Sequence, residues 1–277
     1  MIAGLKRSLD AGWLAAVGTV EVTFGHRAGV RFARTALRAL PSRVAARLTW
    51  PTLNRLPYRE ADRDLWEFPR ACFGGPPVRI LPTDLGGRYF ALCGFWEPHV
   101  TRFVAGRRAP GLLIDVGANF GYFSALWLRC PGASVVAVEP SPVYLPVLRA
   151  NLDRYPGRAR VFPGVAGEAE GEVAFAGEGM LGRVVPVGTP DSYRVPMTTL
   201  PALVAAHPGP IEALKIDAEG YDLTILNTVR DWFRAGRVRT VLWERAGTPA
   251  EAELVAFLRA AGYRPGLDSY MLGFYRP

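Results

Sequence analysis

The sequence predicts an α/β fold with a mainly parallel sheet covered by helices on both faces. From about residue 110 onwards, short runs rich in Val, Ile and Leu alternate with helical segments, and this alternation is typical of βαβ units. The predicted strands are almost continuously apolar, as strands buried on both faces are. The chain of 277 residues, 49% of them hydrophobic, is long enough to bury a large core.

The predicted strands and helices follow one another in a regular order. Strands are predicted at LLIDV, SVVAVE, ARVFPG, EALKID and VRTVLWE, and the alternating segment SYMLGFY predicts an antiparallel closing strand. Helices are predicted after Gly121, Ser141, Gly220 and Pro249. Between residues 164 and 199, a Gly-rich segment with short β runs at 173–175 and 184–187 predicts an inserted hairpin or loop, whose length suggests a substrate wall.

The first hundred residues have a different character. Ala, Leu and Arg dominate residues 3–48 and predict helices, with Pro41 as a break. VRILP and RYFALCGF, separated by the turn signal DLGG, predict a short β-hairpin, and EPHVTRFVAG predicts a helix. We therefore expect an N-terminal helical extension with a short β-hairpin over residues 1–108, followed by an α/β domain over 109–277.

The positive charge is concentrated at the N-terminus. The first fifty residues carry eight basic and two acidic side chains, which accounts for most of the net charge of +8. Arginines interleaved with Ala and Leu favour a solvated amphipathic helix, with contact to an anionic membrane surface as the alternative. The three cysteines have no CxxC spacing, and no apolar run has the length of a membrane span. We expect a cytoplasmic protein.

Four acidic residues end predicted strands. Asp115, Glu139, Asp217 and Glu244 each fall at or just after the carboxyl end of a strand. In an open α/β sheet these ends meet at one edge, where ligands bind. One such acid often does no more than cap a helix, but four at the same edge predict a ligand site.

The first of these acids opens the loop DVGANFG. A dinucleotide fingerprint requires G-x-G-x-x-G, but Asn119 and Tyr122 stand at its second and third glycine positions. The loop therefore disfavours NAD and favours a cofactor without a pyrophosphate, such as S-adenosylmethionine. In this interpretation Gly117 exposes its backbone, Asp115 faces the cofactor's ammonium group and Glu139 accepts the ribose hydroxyls.

Three motifs carry a family resemblance. IDVGANFGYFS, VVAVEPSP and LKIDAEGYDLTIL, with VLWE as a weaker fourth, resemble in order and spacing the FkbM-type methyltransferases over residues 97–244. The resemblance implies a class I, Rossmann-like methyltransferase fold with a seven-stranded sheet. It also implies S-adenosylmethionine as cofactor and O-methylation of a hydroxyl on a sugar or other specialised metabolite, as in natural product biosynthesis. The positions expected to bind the cofactor are Asp115, Gly117, Ala118, Asn119, Gly121, Glu139, Pro140 and Ser141.

Two positions depart from the family pattern. Pro201 stands where the family commonly has an aspartate, and Asp222 stands where a glutamate is usual. Both departures lie outside the predicted cofactor loop, so we expect any effect on the acceptor side.

Methylation of an alcohol requires removal of its proton, by a positioned base or with the help of a metal. Asp217 is the first candidate base, Glu219 and Glu244 support it, and His99 is a further candidate. Alternatively, Asp217 and Glu244 hold Mg²⁺ or Mn²⁺, which prefer oxygen ligands. The competing interpretation pairs Glu244 with Arg245 or Lys215. Buried Lys215 is expected either to pair with an acid such as Glu219 or to act in catalysis.

Two other functions remain alternatives. A nucleic-acid methyltransferase is disfavoured because no Asn- or Asp-Pro-Pro-aromatic motif occurs and the chain after residue 50 is nearly neutral. A non-catalytic scaffold of the same fold is disfavoured by the intact cofactor loop. We therefore expect a small-molecule acceptor and no nucleic-acid partner, and a homodimer is compatible with the sequence.

Overall fold

The computed structural model describes residues 13–17, 29, 32–33, 35–36, 48, 52, 66–68, 77–81, 85–177 and 182–277. The chain divides into two compact units, Met1–Trp96 and Glu97–Pro277. The described positions up to residue 48 are helical, as predicted, and Thr52, beyond the predicted helices, is helical too. The basic residues of the predicted arm, and most of the predicted N-terminal helices, lie outside the described residues.

In the first unit, β1 (Trp66–Phe68) pairs with β2 (Val78–Ile80) in antiparallel register, and α1 spans Leu85–Cys93. The predicted hairpin between VRILP and RYFALCGF is therefore wrong in its second half, because RYFALC is helical. A short apolar run does not distinguish a buried strand from a buried helix. Here a helix buries Phe90, Ala91 and Leu92, and the glycines of DLGG form its first turn.

The second unit contains the remaining elements. In chain order they are α2 (Pro98–Arg107), β3 (Gly111–Val116), α3 (Tyr122–Trp127), β4 (Ala133–Val138), α4 (Leu145–Leu152), β5 (Ala159–Phe162), β6 (Val165–Gly167), β7 (Gly171–Ala176), β8 (Arg183–Val185), β9 (Tyr193–Thr199), α5 (Leu200–Leu203), β10 (Ile211–Ile216), α6 (Asp222–Asn227), α7 (Arg230–Arg234), β11 (Val238–Glu244), α8 (Pro249–Ala260), β12 (Arg264–Asp268) and β13 (Met271–Tyr275). Helix α2 contacts α3 and β12, so it belongs to this unit although the predicted boundary lay after it.

Seven strands form the main sheet, in the order β12-β13-β11-β10-β3-β4-β5. Of these, β13 alone runs antiparallel to its neighbours. The predicted mainly parallel sheet and its antiparallel closing strand are confirmed. The edge strand β12 has the sequence RPGLD and is mostly exposed, so it lacks the apolar run that marked the other strands.

Helices cover both faces of this sheet. Ile114, Leu214 and Trp243 belong to one buried cluster, together with apolar residues of α6, α7 and α8. The neighbouring strand positions Leu113, Lys215 and Leu242 point to the opposite face of the sheet. There they line a small cavity together with residues of α2 and α3. The segment predicted as one helix over 221–236 is divided into α6 and α7.

The winding direction of the sheet reverses between β3 and β10. The chain passes from β3 outward through β4 to β5, and it then returns to place β10 on the other side of β3. A crevice therefore opens beyond the carboxyl ends of β3 and β10, which is where α/β sheets bind ligands. Within the described residues, no helix is long and apolar enough to cross a membrane.

The segment between β5 and β10 forms a second sheet. Its four strands have the order β6-β9-β7-β8 and a small core of Val165, Phe175 and Val195. The predicted hairpin is confirmed as the antiparallel pair β7 and β8, and β6 and β9 extend it. We refer to this four-stranded unit as the inserted sheet.

Candidate active site

The loop after β3 is built around a glycine. Gly117 has a φ of +70°, and a Cβ on it would lie 1.9 Å from the backbone oxygen of Asp217. Only glycine allows the ends of β3 and β10 to approach this closely. The amides of Gly117 and Ala118 both donate to the Val138 carbonyl at 3.0 Å. Asn119, in the left-handed region at φ 52°, completes the turn by accepting a bond from the Phe120 amide through its side chain.

Glu139 ties this loop to the end of β4. Its carboxylate accepts hydrogen bonds from the amides of Asn119, at 2.7 Å, and Ser141, at 2.8 Å. Only 5% of Glu139 is exposed. Burial raises the pKa of its carboxyl to about 7, although the two amide bonds oppose the shift. Each oxygen keeps acceptor capacity beyond its one bond, so Glu139 suits the predicted role of accepting ribose hydroxyls.

The pKa of Glu139 predicts a pH-dependent cofactor affinity. Below pH 7 the free protein carries a protonated Glu139, whereas ribose hydroxyls donate to the carboxylate, so binding must release that proton. With a pKa of about 7, the dissociation constant of S-adenosylhomocysteine should be about tenfold higher at pH 6 than at pH 8. Titration calorimetry measures it. Glu139→Ala should bind weakly at both pH values, and an unchanged pH dependence in that variant would assign the effect to another group.

Lys215 links the loop to the end of β10. Its Nζ lies 3.4 Å from Oδ1 of Asp115 and 3.3 Å from Oδ2 of Asp217, and it donates to the Gly117 carbonyl at 3.3 Å. Burial alone would lower the pKa of Lys215, but the charges of Asp217, Asp115 and Glu97 outweigh it and raise the pKa. The expected partner Glu219 is therefore wrong, because the register places Lys215 beside Asp115 on the next strand.

Asp115 is completely buried. Its Oδ2 accepts a 2.6 Å bond from the Ser124 hydroxyl, and its Oδ1 faces Lys215. Removal from water raises the pKa of this carboxyl, and Lys215 opposes that shift. In this arrangement Asp115 supports the cofactor loop through Lys215 and the first turn of α3, and its contact with the cofactor's ammonium group stays a prediction.

The predicted catalytic acids converge beyond β10 and β11. Asp217 follows β10, Glu244 is the last residue of β11, and Glu219 lies between them in sequence with a left-handed φ of 48°. Glu219 is an exposed residue, but partial removal of its carboxyl from water, reinforced by the charges of Glu244, Asp217 and Asp222, raises its pKa to about 7. The charge of Arg183, at the start of β8, acts in the opposite direction.

The two departures from the family pattern have structural explanations. Asp222 is 3% exposed, and its carboxylate accepts bonds from the amides of Ala218 and Glu244, both at 3.1 Å. It therefore fixes the ends of β10 and β11 relative to each other. Pro201 lies in the first turn of α5, where a missing amide proton has no consequence.

Two acceptor-side residues escaped the sequence analysis. Glu97 immediately precedes α2 with a φ of 48°, and its charge acts on Lys215. The Tyr270 hydroxyl hydrogen-bonds Glu97 from the turn between β12 and β13. The predicted candidate His99, two residues later on α2, is exposed. The only sequence signal for Glu97 was its position at the start of the family resemblance over residues 97–244.

The predicted metal site gains no support from this geometry. Among the described residues, no group of three or more His, Cys, Asp or Glu side chains is placed to hold a metal ion. Oδ2 of Asp217 lies 3.3 Å from the Lys215 ammonium, so a divalent cation there would meet a fixed positive charge. This donor set does not fit Mg²⁺ or Mn²⁺. The competing interpretation, which paired Glu244 with Arg245 or Lys215, is also wrong. The guanidinium of Arg245 pairs with Asp268, and the ammonium of Lys215 pairs with Asp115 and Asp217.

A family model described as "Methyltransferase FkbM domain" matches residues 115–265, which is more than half of the chain. The chain belongs to the FkbM methyltransferase family. It is thus an S-adenosylmethionine-dependent methyltransferase with a Rossmann-like fold. The cofactor loop lies within the match, as does the cluster of Asp217, Glu219 and Glu244, which we call the acidic edge. Comparison with curated protein sequences gave no match.

Solved methyltransferase structures resemble this FkbM methyltransferase only distantly. A precorrin-6y C5,15-methyltransferase from Geobacter metallireducens has 13% identity and a TM-score of 0.39, over 66% of this chain and 90% of its own. The METTL16 methyltransferase domain has 14% identity and a TM-score of 0.41, over 74% of each chain. A putative RNA methyltransferase from Pyrococcus horikoshii has 14% identity and a TM-score of 0.37, over 64% of this chain and 84% of its own. Similarity at this level assigns no substrate to this chain.

Proposed function

We propose that this FkbM methyltransferase O-methylates a hydroxyl of a small molecule, with a sugar or glycosylated metabolite as the acceptor class. The observation that carries the proposal is the convergence of Asp217, Glu219 and Glu244 at the edge that also holds the cofactor loop. There, partial removal from water and the neighbouring carboxylates raise the pKa of Glu219 to about 7. A general base is most effective when its pKa lies near the working pH. An alcohol needs such a base to lose its proton.

The residues around the loop fit the cofactor. The amides of the turn from Gly117 to Gly121 are all bonded within the protein, so the turn offers the cofactor carbonyl oxygens with remaining acceptor capacity. Glu139 offers a carboxylate with spare acceptor capacity. Bound there, S-adenosylmethionine supplies an electrophilic methyl group on a sulfonium. The role of the loop is to hold the cofactor still, because alignment with the acceptor oxygen is the main requirement of the transfer.

The acidic edge performs the acceptor chemistry. Glu219 takes the hydroxyl proton as the oxygen becomes the nucleophile. Asp217, whose Oδ2 lies 3.3 Å from Nζ of Lys215, orients the acceptor through a hydrogen bond. The inserted sheet is linked to this region by the 3.3 Å bond from the Tyr221 hydroxyl to Glu168, which follows β6, and it excludes water from one side.

Glu219→Gln should lower kcat by about 10² to 10⁴-fold, the usual contribution of a general base. In the wild type, kcat/KM for the acceptor should fall tenfold per pH unit below pH 7, and the variant should lose this inflection. Saturating S-adenosylmethionine keeps Glu139 occupied, so that its own titration does not contribute. The same assay in EDTA should show full activity. If EDTA abolished activity and Mg²⁺ or Mn²⁺ restored it, a metal ion rather than Glu219 would activate the hydroxyl.

The acceptor class is tested with radiolabelled S-adenosylmethionine and two panels. One panel contains p-nitrophenyl glycosides of hexoses, deoxyhexoses and aminohexoses, and the other contains single- and double-stranded RNA and DNA. Transfer to glycosides is expected. Transfer to nucleic acid alone, or cofactor binding without transfer to any hydroxylated compound, would overturn the proposed function.

A further inference from the structure

The acceptor side carries a pair of residues that the mechanism above does not use, Glu97 and Tyr270. Glu97 has a φ of 48° and no side-chain capping bond to α2, although an acid before a helix commonly caps it. Its carboxylate instead receives the Tyr270 hydroxyl bond and acts on Lys215. Left-handed backbone at a non-glycine residue is unfavourable, so the contacts of this carboxylate hold the conformation.

Tyr270 presents its ring and its hydroxyl to different surroundings. Tyr270 is 45% exposed. Among the described Phe, Trp and Tyr residues of the second unit, no other is exposed. The hydroxyl, by contrast, is directed inward. The register pairs Met271 of β13 with Glu244 of β11, so the preceding turn brings Tyr270 to the acidic edge. Removal from water and the carboxylates of Glu97, Asp217 and Glu244 raise the pKa of the Tyr270 hydroxyl.

The turn that carries Tyr270 is anchored by one residue. The amide of Arg245 donates to the Tyr270 carbonyl at 2.8 Å, and its Nε donates to the Ser269 carbonyl at 2.8 Å. The Arg245 guanidinium also pairs with Asp268. Arg245 directly follows β11, so the turn is fixed to the strand that ends in Glu244. Tyr270 is thereby held at a set distance from the acidic edge.

We propose that Tyr270 and Glu97 form an acceptor subsite that binds a pyranose ring next to the site of methyl transfer. The exposed face of Tyr270 packs against the apolar face of the sugar, as aromatic side chains do in ligand sites. Glu97 accepts a hydrogen bond from the hydroxyl adjacent to the one that is methylated. This inference rests on the proposed function and specifies the part of the acceptor that is recognised.

The test compares the KM of the acceptor with the affinity for the cofactor. The probe is the p-nitrophenyl glycoside on which the wild type is most active. Tyr270→Ala should raise its KM at least tenfold, with kcat changed less than threefold and the dissociation constant of S-adenosylhomocysteine within twofold of wild type. Tyr270→Phe keeps the ring and should raise KM about threefold. Glu97→Gln should raise KM about tenfold.

Tyr155→Ala is the matched control, because Tyr155 is a partly exposed tyrosine just before β5, at the opposite edge of the sheet. It should leave KM unchanged. An active wild type with unchanged KM in Tyr270→Ala would overturn the subsite and leave the proposed function standing. The subsite would also be overturned if Tyr270→Ala weakened S-adenosylhomocysteine binding by the same factor as it raised the acceptor KM. A wild type that methylates no hydroxylated compound would overturn both.

Discussion

Lys215→Met should lower the free energy of unfolding by about 3 to 5 kcal/mol, the range found when one partner of a buried ion pair is removed. The side chain of Lys215 is 2% exposed and that of Asp115 is 0% exposed. The variant therefore leaves a carboxylate in the core without its cation. Because the neighbouring acids raise the pKa of Lys215, its contribution is complete at pH 7 and is lost only as the pH rises through that pKa. Urea titration of the full chain at pH 7 measures the loss.

Two further variants identify the cause. Lys215→Met combined with Asp115→Asn should recover at least half of the lost stability, because the amide oxygen still accepts the Ser124 bond and no charge is buried. Arg194→Met breaks an ion pair with Glu172 whose side chains are 63% and 59% exposed, and it should have little effect. A loss below about 1 kcal/mol for Lys215→Met would mean that Lys215 is not the counterion of the core.

Gly117→Ala should weaken S-adenosylhomocysteine binding and reduce kcat/KM by about a hundredfold, the scale expected when a binding element moves by about 1 Å. A Cβ at residue 117 would lie 1.9 Å from the Asp217 carbonyl, so β3 and β10 must separate at their carboxyl ends. That movement displaces the Gly117 carbonyl from Lys215 and the Asn119 amide from Glu139. Calorimetry and initial rates measure the two losses.

Gly157→Ala separates the two effects of the extra methyl group. Gly157 has a φ of +71°, nearly the +70° of Gly117, but no atom lies within 4 Å of its Cβ position. Its alanine variant should show only the cost of left-handed backbone, about 1 to 2 kcal/mol of stability, with unchanged cofactor affinity. If both variants bound S-adenosylhomocysteine as the wild type does, the close approach of the two strands would have no role in the site.

The sequence predicted most of the second unit because its strands are buried on both faces. A strand such as LLIDV is then apolar at every position except the buried Asp115, and the loop after it carries glycine. The same rule failed where burial is weak or short. RPGLD is an exposed edge strand without the pattern, and RYFALC is too short for periodicity to separate helix from strand.

The carboxylates at the carboxyl ends of the strands were also predictable. Parallel strands bring these ends to one edge whatever the details of packing, so Glu139, Asp217 and Glu244 could be assigned to one site. Glu219 was included because it follows Asp217 in the same family-like motif. What the sequence did not contain was the pKa of Glu219, which depends on its burial and on the charges placed around it.

The sequence by itself determined the fold class, the glycine turn after β3 and the carboxylates at the strand ends, because local periodicity and strand ends fix these without knowledge of distant neighbours. Only the tertiary structure decided the partners. Lys215 lies beside Asp115 because β10 pairs with β3 across the reversal of the sheet, a register that the sequence spacing does not specify. Glu97 meets Tyr270 because the antiparallel β13 returns the end of the chain to β11. Contacts between residues so far apart in sequence follow from strand order, and strand order is a property of the folded chain.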